Sequence, residues 1–574
     1  GRVASSALIM SDKNKKFLLI VGVAIGVLAG FFFLGNLTVN DLTSDDALYA
    51  FRAVGWFDYL GGGQTTPVQW FGQIPNWAKL SFHDAPPLVF AILHIFFRLF
   101  GSAVLVARLP FALAGWLIVY LLYLMFKWSV GQKPALLAAF LASFVSYGVW
   151  AARAGYLEGL EVLFIVLSLL FFVGYSYRRK PYFLVLCLAA LGLAFISKYT
   201  AIFLIPAYGI YWLIWDRKVF RQKEFWLGVI MAVVILSPVA IYNLKVFQTR
   251  GHLDAVWSST FGIETEDFIG LSGRKVGTNY WGNWLEFFRT SSELYSYPFF
   301  ALWLLSLVFL LYRATINKWS KLEKILLISF GFGFLMFTFI GVAPRFLSIL
   351  VPLVVSITAL AVYIVLMKIR KKKVLFYIGL AVVGLILAGE MFYSFNTNIL
   401  TKPIGPKKIF YSSSRFYGRG FNQLDDYLRG EVFGSLAKPV SPKSLEEISV
   451  GLNELKGQKV IFFDETINWF SFVWYIQKYS FFYRQPLFSF YNYLQFASED
   501  IISPLVQAGV EGFYYIYAAD DSVVDSVKKD IPAMRDNMVI FSQMLENNNI
   551  EPVTIGNLDG VTVFKIYYVP LSNN

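Results

Sequence analysis

The chain alternates long apolar runs with short polar breaks through its first two thirds, then changes rhythm after about residue 396. The first run covers 17–37 and follows Lys13, Lys15 and Lys16. Further runs fall at about 104–126, 134–151, 160–177, 181–197, 200–215, 225–247, 298–313, 323–342, 345–367 and 373–395. A hydrocarbon core of about 30 Å needs roughly 20 such residues per helix, so the pattern predicts a polytopic α-helical membrane protein of about 11 spans. Residues 86–100 have a helical apolar pattern but too little length to cross, which predicts a helix lying at the outer interface. Beyond 396 the pattern shortens. Strand-like runs at 459–464, 513–518 and 561–569 and helical patterns at 500–508 and 522–547 predict a small α/β domain. The expected organisation is 1–37 (N-terminus and first span), 38–103 (an outer loop with interfacial helices), 104–396 (a transmembrane bundle) and 397–574 (an extracytoplasmic α/β domain).

Charge sets the orientation. Basic clusters occur in alternate breaks: Lys127 with Lys133, Arg178–Lys180, Arg217–Lys223, Arg313–Lys324 and Lys368–Lys373. Basic loops stay in the cytoplasm, so the N-terminus is inside and the C-terminal domain outside, in a plasma or inner membrane. The net charge of +13 belongs to the membrane part, because the chain after residue 400 carries 16 Lys and Arg against 19 Asp and Glu. Positive charge confined to short loops between spans argues against a nucleic-acid partner. At 57% hydrophobic and only 15% charged, the composition excludes an ordinary soluble enzyme. The single cysteine, Cys187, excludes an intrachain disulfide, and three histidines without ligand spacing argue against a His/Cys zinc site.

The candidate chemistry lies in the outward breaks. Asp45 and Asp46 open the first outer loop within Thr43-Ser44-Asp45-Asp46-Ala47-Leu48-Tyr49. His83-Asp84-Ala85-Pro86-Pro87 precedes the interfacial helix. Arg153 and Glu158 share one outer link, Lys198-Tyr199-Thr200 another, and Pro344-Arg345-Phe346 a third. Paired carboxylates and several cations at one membrane surface are costly unless they serve a function. The plainer readings are that Asp45-Asp46 caps a helix, that Arg153 pairs with Glu158, and that Lys198 and Arg345 snorkel. Gly61-Gly62-Gly63 marks a turn. The aromatic stretch 248–297 fits either a surface helix or a gate over an acceptor.

Taken in order, these motifs resemble the lipid-dependent glycosyltransferases of the GT-C type, with the aminoarabinose transferases of lipid A and the protein O-mannosyltransferases most similar in pattern. The resemblance covers about 38–370. It rests on the acidic pair before Ala47-Leu48-Tyr49-Ala50, on Pro86-Pro87-Leu88 leading to Leu99-Phe100-Gly101, and on Ala107-Arg108-Leu109-Pro110. Arg153 spaced before Glu158, Lys198-Tyr199-Thr200 and Pro344-Arg345-Phe346-Leu347 ahead of Pro352 complete it. One position departs: Ala85 stands where the family usually carries a basic residue or histidine, and His83 or Asp84 are the nearest substitutes.

The resemblance implies a polyprenyl-phosphate sugar donor, an extracytoplasmic lipid, glycan or protein acceptor, and inversion at the anomeric carbon. Such a reaction needs a carboxylate to take the acceptor proton and cations to hold the leaving phosphate. Asp45 is the expected base, with Asp46 and Glu158 as supporting acids. Arg345, Lys198 and Arg153 are the expected phosphate holders, and His83, Asp84 and Tyr199 are candidates for substrate contact. With cations present no cofactor is required, although the oxygen ligands leave a divalent cation possible and its site unknown. A transporter or flippase for a lipid-linked substrate is the competing reading. It would be expected to place polar sites near the midplane and to repeat internally, and neither feature is legible here.

Overall fold

The computed structural model describes residues 12–56, 80, 83–268, 279–440, 442, 455–497, 500–529 and 532–571. The Gly61-Gly62-Gly63 turn lies outside the described residues. The chain divides into two compact units. One comprises Gly1–Asn36, Asp84–Pro86 and Phe111–Arg415, the other Leu37–His83, Pro87–Pro110 and Phe416–Asn574. Residues 37–56 therefore group with the C-terminal part of the chain.

The first unit is helical. Among the described residues eight helices are long and apolar enough to cross a bilayer: Lys16–Leu34, Val104–Ser129, Leu157–Arg178, Lys223–Arg250, Tyr297–Thr315, Lys321–Ile340, Pro344–Ile369 and Lys373–Asn398. Gln132–Phe144 and Ser146–Arg153 make a ninth only as a pair bent by 57°. Tyr182–Ser197 and Tyr199–Trp215 are apolar but short, so length and composition give eight or nine spans, and the expected eleven requires both short segments to cross as well. They are separated by Lys198, whose extended backbone (φ −163°, ψ 143°) ends one helix before the next turn begins.

Away from water, the N–H groups at a helix start must find partners within the protein. Glu390 supplies them at two starts: its carboxylate accepts from Ser146 N at 2.9 Å and from Ser296 N at 2.8 Å. The first bond holds the break in the bent pair, and the second holds the entry to the Tyr297–Thr315 helix.

The second unit is built on a five-stranded sheet of order β2-β1-β3-β5-β4. The strands are β1 (Lys459–Phe463), β2 (Leu487–Ser489), β3 (Gly512–Ala518), β4 (Val553–Gly556) and β5 (Thr562–Pro570). β1 pairs in parallel with β2 and β3, and β5 pairs antiparallel with β3 and β4. Every residue of β3 is buried, so both faces of the sheet are covered. On one face Val460, Phe462, Phe513, Tyr515 and Tyr567 pack against Met538, Phe541 and Leu545 of the Pro532–Asn547 helix. Towards the other, Phe421 of the Phe421–Tyr427 helix meets Phe564 at 5.1 Å between ring centroids. Three of the five strands coincide with the sequence pattern. β2 and β4 have only three and four residues, too few for alternation to register.

The short apolar helix expected at 86–100 is present as Leu88–Phe100 and buries Val89, Phe90, Leu93 and Phe97 on one face. It packs on the Asp45–Gly55 helix, where His94 Nδ1 lies 2.7 Å from Ala53 O and the Arg52 guanidinium sits 4.5 Å from the Phe90 ring centroid.

Candidate active site

Asp45 and Asp46 form the first turn of the Asp45–Gly55 helix, where acidic side chains oppose the positive end of the dipole. Their environments differ. Asp46 is buried, and its Oδ1 accepts from Ser44 N and Ala47 N, both at 2.9 Å. Its Oδ2 faces Arg108 Nη2 at 3.8 Å. Burial outweighs those favourable contacts and pushes the Asp46 carboxyl up to about 6. Asp45 is half-buried. The capping reading thus describes Asp46.

Arg108 had no role in the sequence argument beyond its motif. It donates from Nη1 to Leu37 O (3.0 Å) and Asn40 O (2.6 Å), and from Nη2 to Asp41 O (2.8 Å). It therefore shapes the strap that delivers Asp45 and Asp46. Asp41 fixes the same strap from its other side, accepting from the N–H groups of Arg419, Phe421 and Asn422 at the start of the Phe421–Tyr427 helix. Burial raises the Asp41 carboxyl as well. An arginine inside an apolar run was the available signal for Arg108, since an ionisable residue there marks a partner of opposite charge or a set of carbonyls.

In the first unit Glu158, Lys198 and Arg345 come together. Glu158 opens the Leu157–Arg178 helix and is buried. Lys198 Nζ pairs directly with Glu158 Oε1, and Arg345 Nε lies 3.9 Å from the same oxygen. Lys198 Nζ stands 4.0 Å from the Phe346 ring centroid, and the Arg345 guanidinium lies 5.0 Å from that ring and 5.6 Å from Tyr156. Two cations thus share one carboxylate against aromatic faces, with side-chain exposures of 16% for Lys198, 24% for Arg345 and 3% for Glu158. The two cations remain partly open and suit a phosphate oxygen. One turn further, Glu161 accepts from Thr200 Oγ1 at 2.6 Å, a second carboxylate tying the Leu157–Arg178 helix to the segment after Lys198.

Arg153 has a different setting. Its Nη1 donates to Phe32 O, Phe33 O and Gly35 O, and its Nη2 to Asn36 O, at 2.5–3.2 Å. These are carbonyls at and just beyond the end of the first helix, so Arg153 acts there as a C-terminal cap. Tyr199 donates to Asp254 Oδ2 at 2.7 Å, and Asp254 also accepts from Asn243 Nδ2 and Trp257 N, both at 2.9 Å. Tyr199 thereby anchors the Ala255–Phe261 helix, whose Trp257 ring lies 5.3 Å from its own. In the same aromatic stretch the Tyr280–Leu294 helix buries Phe287 against Phe334 at 4.9 Å while Trp281 is 77% exposed, the two-faced pattern of a surface helix. His83 is buried and Asp84 half-buried, just before the Leu88–Phe100 helix. Among the described residues no three His, Cys, Asp or Glu side chains gather as a metal cluster.

A sequence-family model described as dolichyl-phosphate-mannose-protein mannosyltransferase matches residues 84–242. The candidate mannosyltransferase YycA of Bacillus subtilis (strain 168) is 29% identical over 159 residues, which is 28% of this chain and 23% of that protein. The chain therefore spans about a quarter of that relative's length. Among solved structures, ArnT from Cupriavidus metallidurans bound to undecaprenyl phosphate aligns over 96% of this chain and 98% of its own, with 14% identity and a TM-score of 0.54. The Archaeoglobus fulgidus oligosaccharyltransferase in its apo form aligns over 88% of this chain and 70% of its own, with 14% identity and a TM-score of 0.53. That enzyme has also been solved with Zn and sulfate. The fold of this multi-pass membrane chain is of the GT-C type, as the motifs suggested.

Proposed function

We propose, from a fold of the GT-C type, that the chain is an inverting membrane glycosyltransferase that moves a monosaccharide from a polyprenyl-phosphate donor to an extracytoplasmic acceptor. The observation that carries this reading is the Glu158–Lys198–Arg345 cluster, whose two partly open cations and ring-lined setting suit an anionic headgroup at a membrane surface.

In the proposed step the acceptor hydroxyl gives its proton to Asp45 as its oxygen attacks the anomeric carbon. The bond from that carbon to the phosphate oxygen breaks, and the electron pair leaves with polyprenyl phosphate. Arg345 and Lys198 stabilise the charge that grows on the departing phosphate, while Glu158 holds both cations in place. Asp46 and Arg108 position the turn that carries Asp45. Arg153 supports the bundle through the end of the first helix, and Tyr199 supports it through Asp254. His83 and Asp84 remain candidates for substrate contact. The chain's own cations supply the charge that a metal would otherwise provide. The proposed orientation puts the chemistry and the C-terminal sheet outside the cytoplasm.

The test is to incubate the purified chain with a panel of polyprenyl-phosphate monosaccharides and measure released polyprenyl phosphate. Release by the native chain, with donor affinity lowered at least tenfold in Arg345→Ala, is the expected outcome. Unchanged affinity in Arg345→Ala would remove the cluster from donor binding and with it the observation that carries the reading.

A further inference from the structure

The second unit contains a cleft that the proposed transfer step does not use. It measures about 400 Å³ and opens at the carboxyl ends of the parallel strands β1 and β2, where Phe463 ends one strand and Ser489 the other. Parallel strands that end beside one another leave a crevice there, the common place for a ligand in α/β sheets. The volume lies within the range of about 300–1,000 Å³ typical of small-molecule sites.

The lining restricts the ligand. Among the described residues, none of the eleven that line it bears a formal charge. A phosphate, carboxylate or amine would enter without a counter-charge and lose its hydration. Six rings form most of the wall: Phe463, Phe472, Phe481, Phe488, Tyr493 and Phe496. Leu487 is the only aliphatic side chain among them. Flat, stiff aromatic faces match the C–H faces of a ring better than a flexible alkyl or prenyl chain, which packs well on branched aliphatics. Gln477, Ser480, Ser489 and Asn492 add neutral amides and hydroxyls, which both donate and accept as vicinal sugar hydroxyls do.

The cleft also shares a wall with the strap that carries Asp45. Residues 469–483 supply Phe472, Gln477, Ser480 and Phe481 to the cleft. The same stretch grips the strap: Leu42 N donates to Tyr475 Oη at 2.9 Å, Ser471 Oγ donates to Leu42 O at 3.4 Å, and the Phe481 ring lies 5.5 Å from Phe51. A ligand seated in the cleft therefore bears on the elements that fix the approach to Asp45.

We propose that this cleft binds an uncharged saccharide belonging to the acceptor; its assignment to the acceptor rests on the transfer reading above. The test uses the full chain in lipid nanodiscs, since detergents with sugar headgroups would compete. Maltose, cellobiose, mannobiose and N-acetylglucosamine are offered, and binding is read by saturation-transfer NMR. At least one saccharide is expected to bind, with affinity lowered about tenfold or more in Asn492→Ala and Phe496→Ala. Both side chains are exposed at the rim, so neither variant threatens the core.

No transfer signal from any saccharide, or equal binding by both variants, overturns the proposal. So does decanol binding that is lost in the same variants while the saccharides give nothing, because the cleft would then be a lipid site. Asp45→Asn should bind the saccharide like the native chain. Rim-dependent binding without any donor turnover would sink the transfer reading and leave the ligand class standing. Donor turnover onto another acceptor, with the bound saccharide never labelled, would sink the acceptor assignment alone.

Discussion

Asp45 and Asp46 are chemical neighbours in sequence and not in environment. Asp46 is enclosed and uses one oxygen on two backbone N–H groups, whereas Asp45 is half-buried. In the proposed mechanism Asp45→Asn lowers transfer by about 10²–10⁴-fold while donor affinity holds, since a general base contributes that much. Equal turnover by native chain and variant would remove Asp45 as the base. Asp46 predicts a pH effect on stability instead. Its folded carboxyl titrates at about 6 against a usual value of 3.8, so the folded state holds the extra proton between those limits. Its contribution to stability is full below about 4 and declines as pH rises through about 6, by on the order of 1–3 kcal/mol. Asp46→Asn lacks that titration, so its unfolding midpoint relative to the native chain should rise between pH 4 and pH 7. A difference that stays flat across that window would show that Asp46 does not titrate there.

At the scale of elements, two arginines hold successive carbonyls of one stretch. Arg153 takes those of Phe32, Phe33, Gly35 and Asn36, and Arg108 takes those of Leu37, Asn40 and Asp41. A planar guanidinium can serve several acceptors at once, and lysine cannot reproduce that fork. Arg108→Lys should therefore leave carbonyls unpaired, at about 1–3 kcal/mol for each buried group that water cannot reach. The expected readout is a lower thermal midpoint with faster proteolysis between residues 37 and 45. An unchanged midpoint would mean that the three carbonyls find other partners. Helix boundaries were legible where the apolar runs were long. The break at Lys198 was legible, between the runs 181–197 and 200–215, but the one at Val145 fell inside the run 134–151, because valine does not break a helix by propensity. The bend at Val145 is held by Glu390, which lies 244 residues from Ser146.

At the scale of the molecule, the proposed reaction draws its positive charge from Lys198 and Arg345 rather than from a metal. Transfer should therefore continue in excess EDTA. Loss of activity restored by Mg²⁺ or Mn²⁺ would assign phosphate neutralisation to a cation. Glu158, Lys198 and Arg345 come together from three separate breaks between apolar runs, and hydropathy makes such breaks visible in the sequence. The roles of Arg153 and Tyr199 as supports were hidden, since the same residue types serve ligands and backbone carbonyls alike.

The apolar runs and the sidedness of basic residues were enough to specify a polytopic membrane chain with a small α/β unit near its end. The spans follow from what a single segment must do in hydrocarbon, namely shed charge and satisfy its own backbone, and the α/β unit follows from the short strand-like and helical patterns after residue 396. Tertiary structure alone decided which buried charge meets which partner. Leu42 is held by Tyr475 at a separation of 433 residues, and Asp41 caps a helix that begins 380 residues later. Pairings of that kind depend on the closure of distant segments, and no local period in the sequence records them.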